Sequence, residues 1–284
     1  MAGVLDVGCF SAHLVVVDRD LRHPVLSHKV RLRLDRVIDR QGRISRTGID
    51  QISEAVQAAR KVARRAGIAG VVPFATSSVR DAPNAAKVIE RVADRTGVWL
   101  KVLSGKEEAR LAYVAARHWF GRGSLLVLDV GGGTVEVAHG DAANPSFTCS
   151  LPLGARTLTM TGLTVPEMRS FVADGLSGVD LPASGRAVGC SKVFGQMARL
   201  AGTRRVLRAD DLTAWIPRLA KLSASKRARL PGISRHRAHQ SLAGAVVAEG
   251  LMRATGQEAV EISPWSTKEG LLLSLLENRA VSAA

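Results

Sequence analysis

The chain is predicted to be α/β, built as two sheets that are each covered by helices. Two observations carry this. The triplet Asp-Val-Gly occurs at Asp6-Val7-Gly8 and again at Asp129-Val130-Gly131, about 120 residues apart. Each copy ends one apolar run and is followed by small residues and a second apolar run, so each reads as strand, tight turn, strand. Such self-similarity points to an internal duplication. In each half, strand-like runs also come early and helix-period runs late, which is the order of a helix-covered sheet. At 284 residues the chain is long enough for two domains. Gly121 to Gly123 reads as a hinge, giving domains 1–121 and 122–284, with the last helix able to pack back on the first.

Residues 3–17 give the first strand pair, and 28–34 a third strand. Residues 47–66 carry Ile49, Ile52, Val56, Ala59 and Val62 at helical spacing, with Arg60, Lys61, Arg64 and Arg65 on the other, solvated face. Residues 71–75 are a short buried strand running into Thr76-Ser77-Ser78-Val79-Arg80-Asp81. Asp81 is expected to cap the next helix, with Pro83 in its first turn. The hydroxyls and Arg80 would then sit beside a helix N-terminus, where an anion is favoured; a plain capping cluster is the competing reading. Residues 98–103 form another strand, and Ser104-Gly105 opens a helix with Glu107 and Glu108 in its first turn. Carboxylates there suit the helix dipole, and one facing a bound phosphate could also act as a general base.

The stretch 125–136, Leu-Leu-Val-Leu-Asp-Val-Gly-Gly-Gly-Thr-Val-Glu, is the most specific in the chain. Glycines allow positive φ and close approach of a phosphate to backbone N–H groups. Asp129 at the strand end could hold a metal ion, and Glu136 could face the same spot. A strand near 146–151, a helix over 165–176, a strand ending at Gly189, a helix over 192–201, helices through most of 210–255, a strand at 258–262 and a last helix over 268–276 complete the second half.

Composition narrows the partners. There are 40 Lys and Arg against 25 Asp and Glu, a net charge of +15. That favours a polyanionic ligand, alongside a solvated arginine-rich surface. Arg204, Arg205, Arg208, Lys226, Arg227 and Arg229 could line a track for a long anion. The single tyrosine and the absence of a nucleic-acid motif argue against a nucleic-acid module. Three scattered cysteines without CxxC fit a reducing cytoplasm. No apolar run approaches the ~18 residues of a membrane span, so no membrane partner is expected.

With these turns in place the chain resembles the exopolyphosphatase and guanosine pentaphosphate phosphatase (Ppx/GppA) family, in its short two-domain form. Ala75-Thr76-Ser77-Ser78-Val79-Arg80-Asp81-Ala82 is similar to that family's Ala-Thr-Ser-Ala-x-Arg-Glu-Ala. Ser104-Gly105-Lys106-Glu107-Glu108-Ala109-Arg110-Leu111 is similar to its Ser-Gly-x-Glu-Glu-Ala-Arg-Leu. Leu151-Pro152-Leu153-Gly154-Ala155 and the stretch from Pro264-Trp265 to Lys268-Glu269-Gly270-Leu271 match as well. The resemblance implies two ribonuclease-H-like domains of the actin, sugar kinase and heat-shock ATPase superfamily, with an interdomain cleft. It implies hydrolysis of terminal phosphate from inorganic polyphosphate or a guanosine polyphosphate, with Mg2+ or another divalent cation. It makes Glu108 the base, with Glu107 second choice, puts Asp129 at the metal, and has Glu136 place water or metal. Gly131, Gly132, Gly133 and Thr134 would hold the scissile phosphate. Asp6, Gly8 and Ser11 match the first phosphate turn, Arg80 would neutralise charge, and Ser191 and Lys192 match a third phosphate corner.

Three departures stand out. The family's first turn carries Ser-Asn where this chain has Cys9-Phe10, which removes good donors. Cys190 replaces a threonine before Ser191-Lys192, and Lys268 replaces an arginine, keeping the charge without the bidentate fork. A weakened paralogue that binds polyphosphate or guanosine tetraphosphate as a sensor is therefore the alternative to an enzyme. A kinase of the same fold is disfavoured by the Glu107-Glu108 helix and the Arg80 signature. A homodimer, substrate preference and chain length are left open by the sequence.

Overall fold

Strand β1 (Ala2–Val7) turns back into β2 (Ser11–Val17) in the computed structural model, which describes residues 1–282. Alternation along β1 puts Leu5 and Val7 into one hydrophobic core. Strand β3 (Leu26–Arg31) extends the antiparallel meander, and β4 (Val71–Ala75) and β5 (Lys101–Val102) add parallel strands on the other edge, in the order β3-β2-β1-β4-β5. The expected strand over 98–103 is thus only two residues long.

The helix Arg46–Arg65 buries Ile49, Ile52, Val56 and Ala59 against this sheet and leaves Arg60, Lys61, Arg64 and Arg65 exposed. Its N-cap is Ser45, whose hydroxyl accepts the Gly48 N–H at 3.3 Å. Asp81 does not cap the following helix. It ends the short helix Ser77–Arg80, while the helix Ala85–Thr96 starts after Asn84, so Pro83 lies before that helix. The Asp81 carboxylate is instead drawn to the Arg80 guanidinium next to it.

The second sheet repeats the first. Strands β6 (Leu125–Val130), β7 (Val135–Gly140) and β8 (Phe147–Leu151) form an antiparallel meander. Strand β9 (Arg186–Cys190) lies parallel to β6, and β11 (Ala259–Ile262) parallel to β9. Strand β10 (Val206–Arg208), not anticipated from sequence, adds an antiparallel edge. The order β8-β7-β6-β9-β11-β10 is that of the first sheet with β10 added, so the duplication suggested by two short triplets extends to sheet topology.

The two compact units are Met1–Ser104 with the chain from Leu271, and Gly105–Gly270. The helix Gly105–Phe120, carrying Glu107 and Glu108, accordingly packs on the second sheet. Gly121 and Gly123 take φ of +86° and +117° and form the corner from that helix into β6, inside the second unit. The last helix, Thr267–Ser282, starts in the second unit and continues in the first.

Period-two alternation sorts the faces of the second sheet. Leu126, Leu128 and Val130 join a large core with the helices Val165–Ser177, Ser191–Leu200, Ala209–Ala220 and Ser241–Ala254. Leu125, Val127, Ala138, Val188 and Cys190 face the other way and pack on Ala109, Ala112, Tyr113 and Ala116 of the Gly105–Phe120 helix. Among the described residues, no helix is long and apolar enough to cross a membrane.

Candidate active site

The two Asp-Val-Gly turns close by the same hydrogen bond. The Gly8 N–H donates to the Ser11 carbonyl at 3.0 Å, and the Gly131 N–H to the Thr134 carbonyl at 2.9 Å. The registers also correspond, with Asp6 opposite His13 and Asp129 opposite Glu136.

Positive φ is not the reason for the glycines. None of Gly8, Gly131, Gly132 and Gly133 takes it. Room is the reason. A Cβ at Gly131 would lie 3.0 Å from the Thr134 carbonyl oxygen, and one at Gly154 only 2.4 Å from the Gly132 oxygen and the Gly133 carbonyl carbon. Gly154 therefore lets the start of the helix Ala155–Met160 press onto the turn. There the Gly154, Ala155 and Arg156 N–H groups donate to the carbonyls of Gly133 (3.1 Å), Gly131 (3.0 Å) and Gly132 (2.8 Å). The Thr157 hydroxyl adds a bond to Gly133 at 3.0 Å. With its carbonyls held this way, the turn leaves the N–H groups of Gly132, Gly133 and Thr134 without an acceptor among the described residues. Successive unpaired N–H groups make an anion-binding nest.

The first turn is built alike, its Cys9 and Phe10 carbonyls accepting from Leu34 (3.0 Å) and Leu32 (2.9 Å). The Cys9 and Phe10 side chains are only 8% and 5% exposed and lie in the core of the first unit. Phe10 is a packing residue, and position 10 supplies no side-chain donor to a ligand.

Asp129 and Glu136 are cross-strand partners and so share a face of the second sheet. It is the face covered by the Gly105–Phe120 helix, because Val127 and Ala138, two residues away on each strand, pack on it. That helix runs so that Tyr113 meets the far end of β7: a Cβ on Gly140 would lie 3.2 Å from its hydroxyl, which donates to the Ala142 carbonyl at 2.8 Å. The first turn of the helix therefore falls toward the Asp129 and Glu136 end. Lys106 agrees with this, since its charge and that of Glu136 both act on Cys149, whose thiol is pushed up chiefly by burial. Glu108 is buried on the packed side of its helix. Glu107 is half-exposed and forms a two-pronged ion pair with Arg110 at 2.8 and 2.9 Å.

Hydroxyls orient the acids. Ser150, opposite Glu136 on β8, donates to Glu136 Oε1 at 2.9 Å. Ser266 donates to Asp129 Oδ2 at 2.5 Å. Burial raises the Asp129 carboxyl above the usual aspartate range, and the Ser266 and Ser191 hydroxyls pull it part of the way back. Ser191 begins its helix at φ +77°, a left-handed conformation that costs a non-glycine residue about 1–2 kcal/mol. Lys192 follows it, exposed. Cys190, paired in register with Asp129, is fully buried. Burial, and then the Asp129 charge, push its thiol well above the ordinary range, so it stays neutral. It belongs to the core under the site.

Sequence reasoning singled out neither Ser150 nor Ser266, and gave Gly154 and Gly270 no role of their own. The signal for Ser266 was the spacing Ser266-Thr267-Lys268-Glu269, half of a capping box: Glu269 accepts the Ser266 N–H at 3.0 Å, while the serine hydroxyl turns to Asp129. Gly270 lets this turn touch the Glu108 helix, since a Cβ there would sit 1.9 Å from the Leu111 carbonyl oxygen. In the first unit, Arg80 donates to both Asp81 oxygens, at 2.8 and 3.2 Å, and to the Leu103 carbonyl at 3.2 Å. Asp6, Gly8 and Ser11 belong to this unit too. Of the basic stretch at 204–229, Arg227 donates to the Leu219 carbonyl and Arg208 caps a helix with Asp211.

Among the described residues, no three of the His, Cys, Asp and Glu side chains converge as a self-sufficient metal site. Mg2+ does not need one, as it is commonly held by one or two carboxylates plus phosphate oxygens and water. Asp129 and Glu136, on one face beside an anion nest, fit that requirement.

The model of the Ppx/GppA phosphatase family matches residues 14–279. The chain is 40% identical to exopolyphosphatase 1 of Mycobacterium bovis, over 99% of this chain and 90% of that protein. It is 38% identical to exopolyphosphatase 1 of Mycobacterium leprae, over 99% and 91%. The fold is similar to the crystal structures of an exopolyphosphatase from Cytophaga hutchinsonii (TM-score 0.85, 20% identity, 98% of both chains) and of the Aquifex aeolicus Ppx/GppA family member (0.82, 23%, 98% of both).

Proposed function

Because the chain belongs to the Ppx/GppA phosphatase family, we propose that it hydrolyses the terminal phosphoanhydride of linear inorganic polyphosphate or of guanosine pentaphosphate. The observation that carries the reading is the meeting, in one unit, of a buried Glu108 helix, the Asp129–Glu136 pair and a turn with three N–H groups lacking acceptors among the described residues. Exopolyphosphatase is the name of the relatives at 40% identity, which favours polyphosphate over the nucleotide.

In this mechanism the terminal phosphate sits in the Gly131–Gly132–Gly133–Thr134 nest, where backbone donors neutralise charge that builds on its oxygens. Glu108 takes a proton from water, the resulting oxygen attacks phosphorus, and the anhydride oxygen leaves with the shortened chain. Phosphoryl transfer asks little covalent work of the protein, so positioning and charge neutralisation do most of it. Asp129 and Glu136 would hold a divalent cation, which supplies charge neutralisation on phosphate oxygens when bound. Ser191 and Lys192, in the same unit, are assigned to a further phosphate. Glu107 is given no chemical step, because Arg110 already engages both its oxygens.

The burial of Cys9 and Phe10 favours a second reading, a chain that binds polyphosphate or guanosine tetraphosphate without turnover, since the first turn lacks the donors of its relatives. Phosphate release with magnesium, measured across polyphosphate lengths and guanosine pentaphosphate, separates them. The enzyme reading expects multiple turnovers on at least one substrate. Calorimetric binding with no release from any would leave the sensor.

A further inference from the structure

A cavity of about 500 Å³ lies in the first unit between the start of the helix Arg46–Arg65 and the helix Ala85–Thr96. Its polar lining is Arg46, Asp50, Asn84, Lys87, Arg91 and Arg95, four cations against one carboxylate. Arg95 is ion-paired to Asp50. Arg46, Lys87 and Arg91 have no hydrogen-bond or ion-pair partner among the described residues. The wall is fixed beforehand, because the Asn84 amide donates to the Ile44 carbonyl at 2.9 Å and accepts the Ile44 N–H at 3.0 Å.

Spacing defines what would fill it. Lys87, Arg91 and Arg95 are four residues apart and form one stripe along their helix, about 12 Å from first to last. Cations in a line match charges in a line, and the cavity is far larger than one phosphate needs. We propose that this cavity is an accessory site for linear condensed phosphate, which holds an inner or distal segment of a long chain. The choice of ligand rests on the proposed function; the cavity and its uncommitted cations do not.

Calorimetric titration of the full chain with inorganic tripolyphosphate, in chelator and low salt, tests it. Wild-type protein is expected to take up two tripolyphosphates. Lys87→Ala/Arg91→Ala should take up one, or bind the second about tenfold or more weakly, as expected for losing charge-assisted hydrogen bonds. With magnesium restored, its KM for long polyphosphate should rise about tenfold while kcat on tripolyphosphate stays at the wild-type value. Arg64→Ala/Arg65→Ala, which removes two exposed charges at the other end of the Arg46–Arg65 helix, should behave as wild type. Unchanged stoichiometry in Lys87→Ala/Arg91→Ala would overturn the proposal. So would an equal loss in Arg64→Ala/Arg65→Ala, which would mean diffuse attraction. A protein that binds two tripolyphosphates but releases no phosphate would refute the catalytic reading and leave this site standing.

Discussion

Replacing Gly154 by alanine should disable the site without touching a residue that carries its chemistry. Gly154 has φ −67° and ψ 159°, a conformation open to any residue, so alanine brings no backbone strain of its own. The obstacle is contact. The new methyl would lie 2.4 Å from the Gly132 oxygen and the Gly133 carbonyl carbon, both backbone atoms of the Gly131–Thr134 turn. Restoring an ordinary contact needs a displacement of about 1 Å, and a shift of that size at a positioned group can cost about 10²-fold in rate. The displaced atoms carry the Gly133 and Thr134 amides, and the loss of one transition-state donor costs about 10²–10³ in kcat. Overpacking should cost about 1–3 kcal/mol of stability, which is small enough to leave the protein folded. The assay is phosphate release from polyphosphate with magnesium, run beside thermal unfolding. Gly178→Ala is the control, because that position has nothing within 4 Å and a negative φ. A Gly154→Ala protein with kcat within about threefold of wild type would refute the claim that the helix start fixes the turn.

Phe10→Asn, which brings in the amide that the family resemblance leads one to expect at this position, should not raise activity. The ring is in the core, so the change should destabilise the protein by about 3–5 kcal/mol, read as a lower melting temperature. A stable and faster Phe10→Asn enzyme would contradict the placement of the ring. Asp129→Asn should remove activity yet raise the melting temperature at pH 7. Because burial raises the folded Asp129 carboxyl above its unfolded value, the folded state binds the extra proton between the two. Stability from this group therefore falls as pH climbs through that window and stays lower above it. The asparagine variant should accordingly show no gain below the unfolded aspartate range, and a gain only at acid pH would reverse the sign.

Much of this was legible in the sequence, for reasons particular residues make plain. Two Asp-Val-Gly triplets anticipated two copies of one sheet order, because the turn and its flanking alternation are local features. The helix expected over 47–66, and found at 46–65, followed from apolar spacing alone. Other features depend on contacts distant in sequence and could not be read. Asp81 looked like a cap for the next helix, but it ends the preceding one and turns to Arg80. The glycines at 131–133 suggested positive φ, yet none takes it, and the turn is held by a helix start more than twenty residues on, which Gly154 lets approach. Phe10 looked like a lost phosphate donor, while β2, β3 and the loop at 32–34 make it a core residue. Ser266 reaches Asp129 across 137 positions of sequence, and only the folded chain brings the two together.

Glu108, buried on the helix that covers the Asp129 and Glu136 face, is proposed to activate the attacking water. The most direct measurement is single-turnover phosphate release by Glu108→Gln, which keeps the shape and removes the base, with Glu107→Gln beside it. A loss of about 10²–10⁴-fold is expected for Glu108→Gln, with polyphosphate binding retained, and a change within a fewfold for Glu107→Gln. Equal rates for Glu108→Gln and wild type, or a collapse in Glu107→Gln instead, would contradict it.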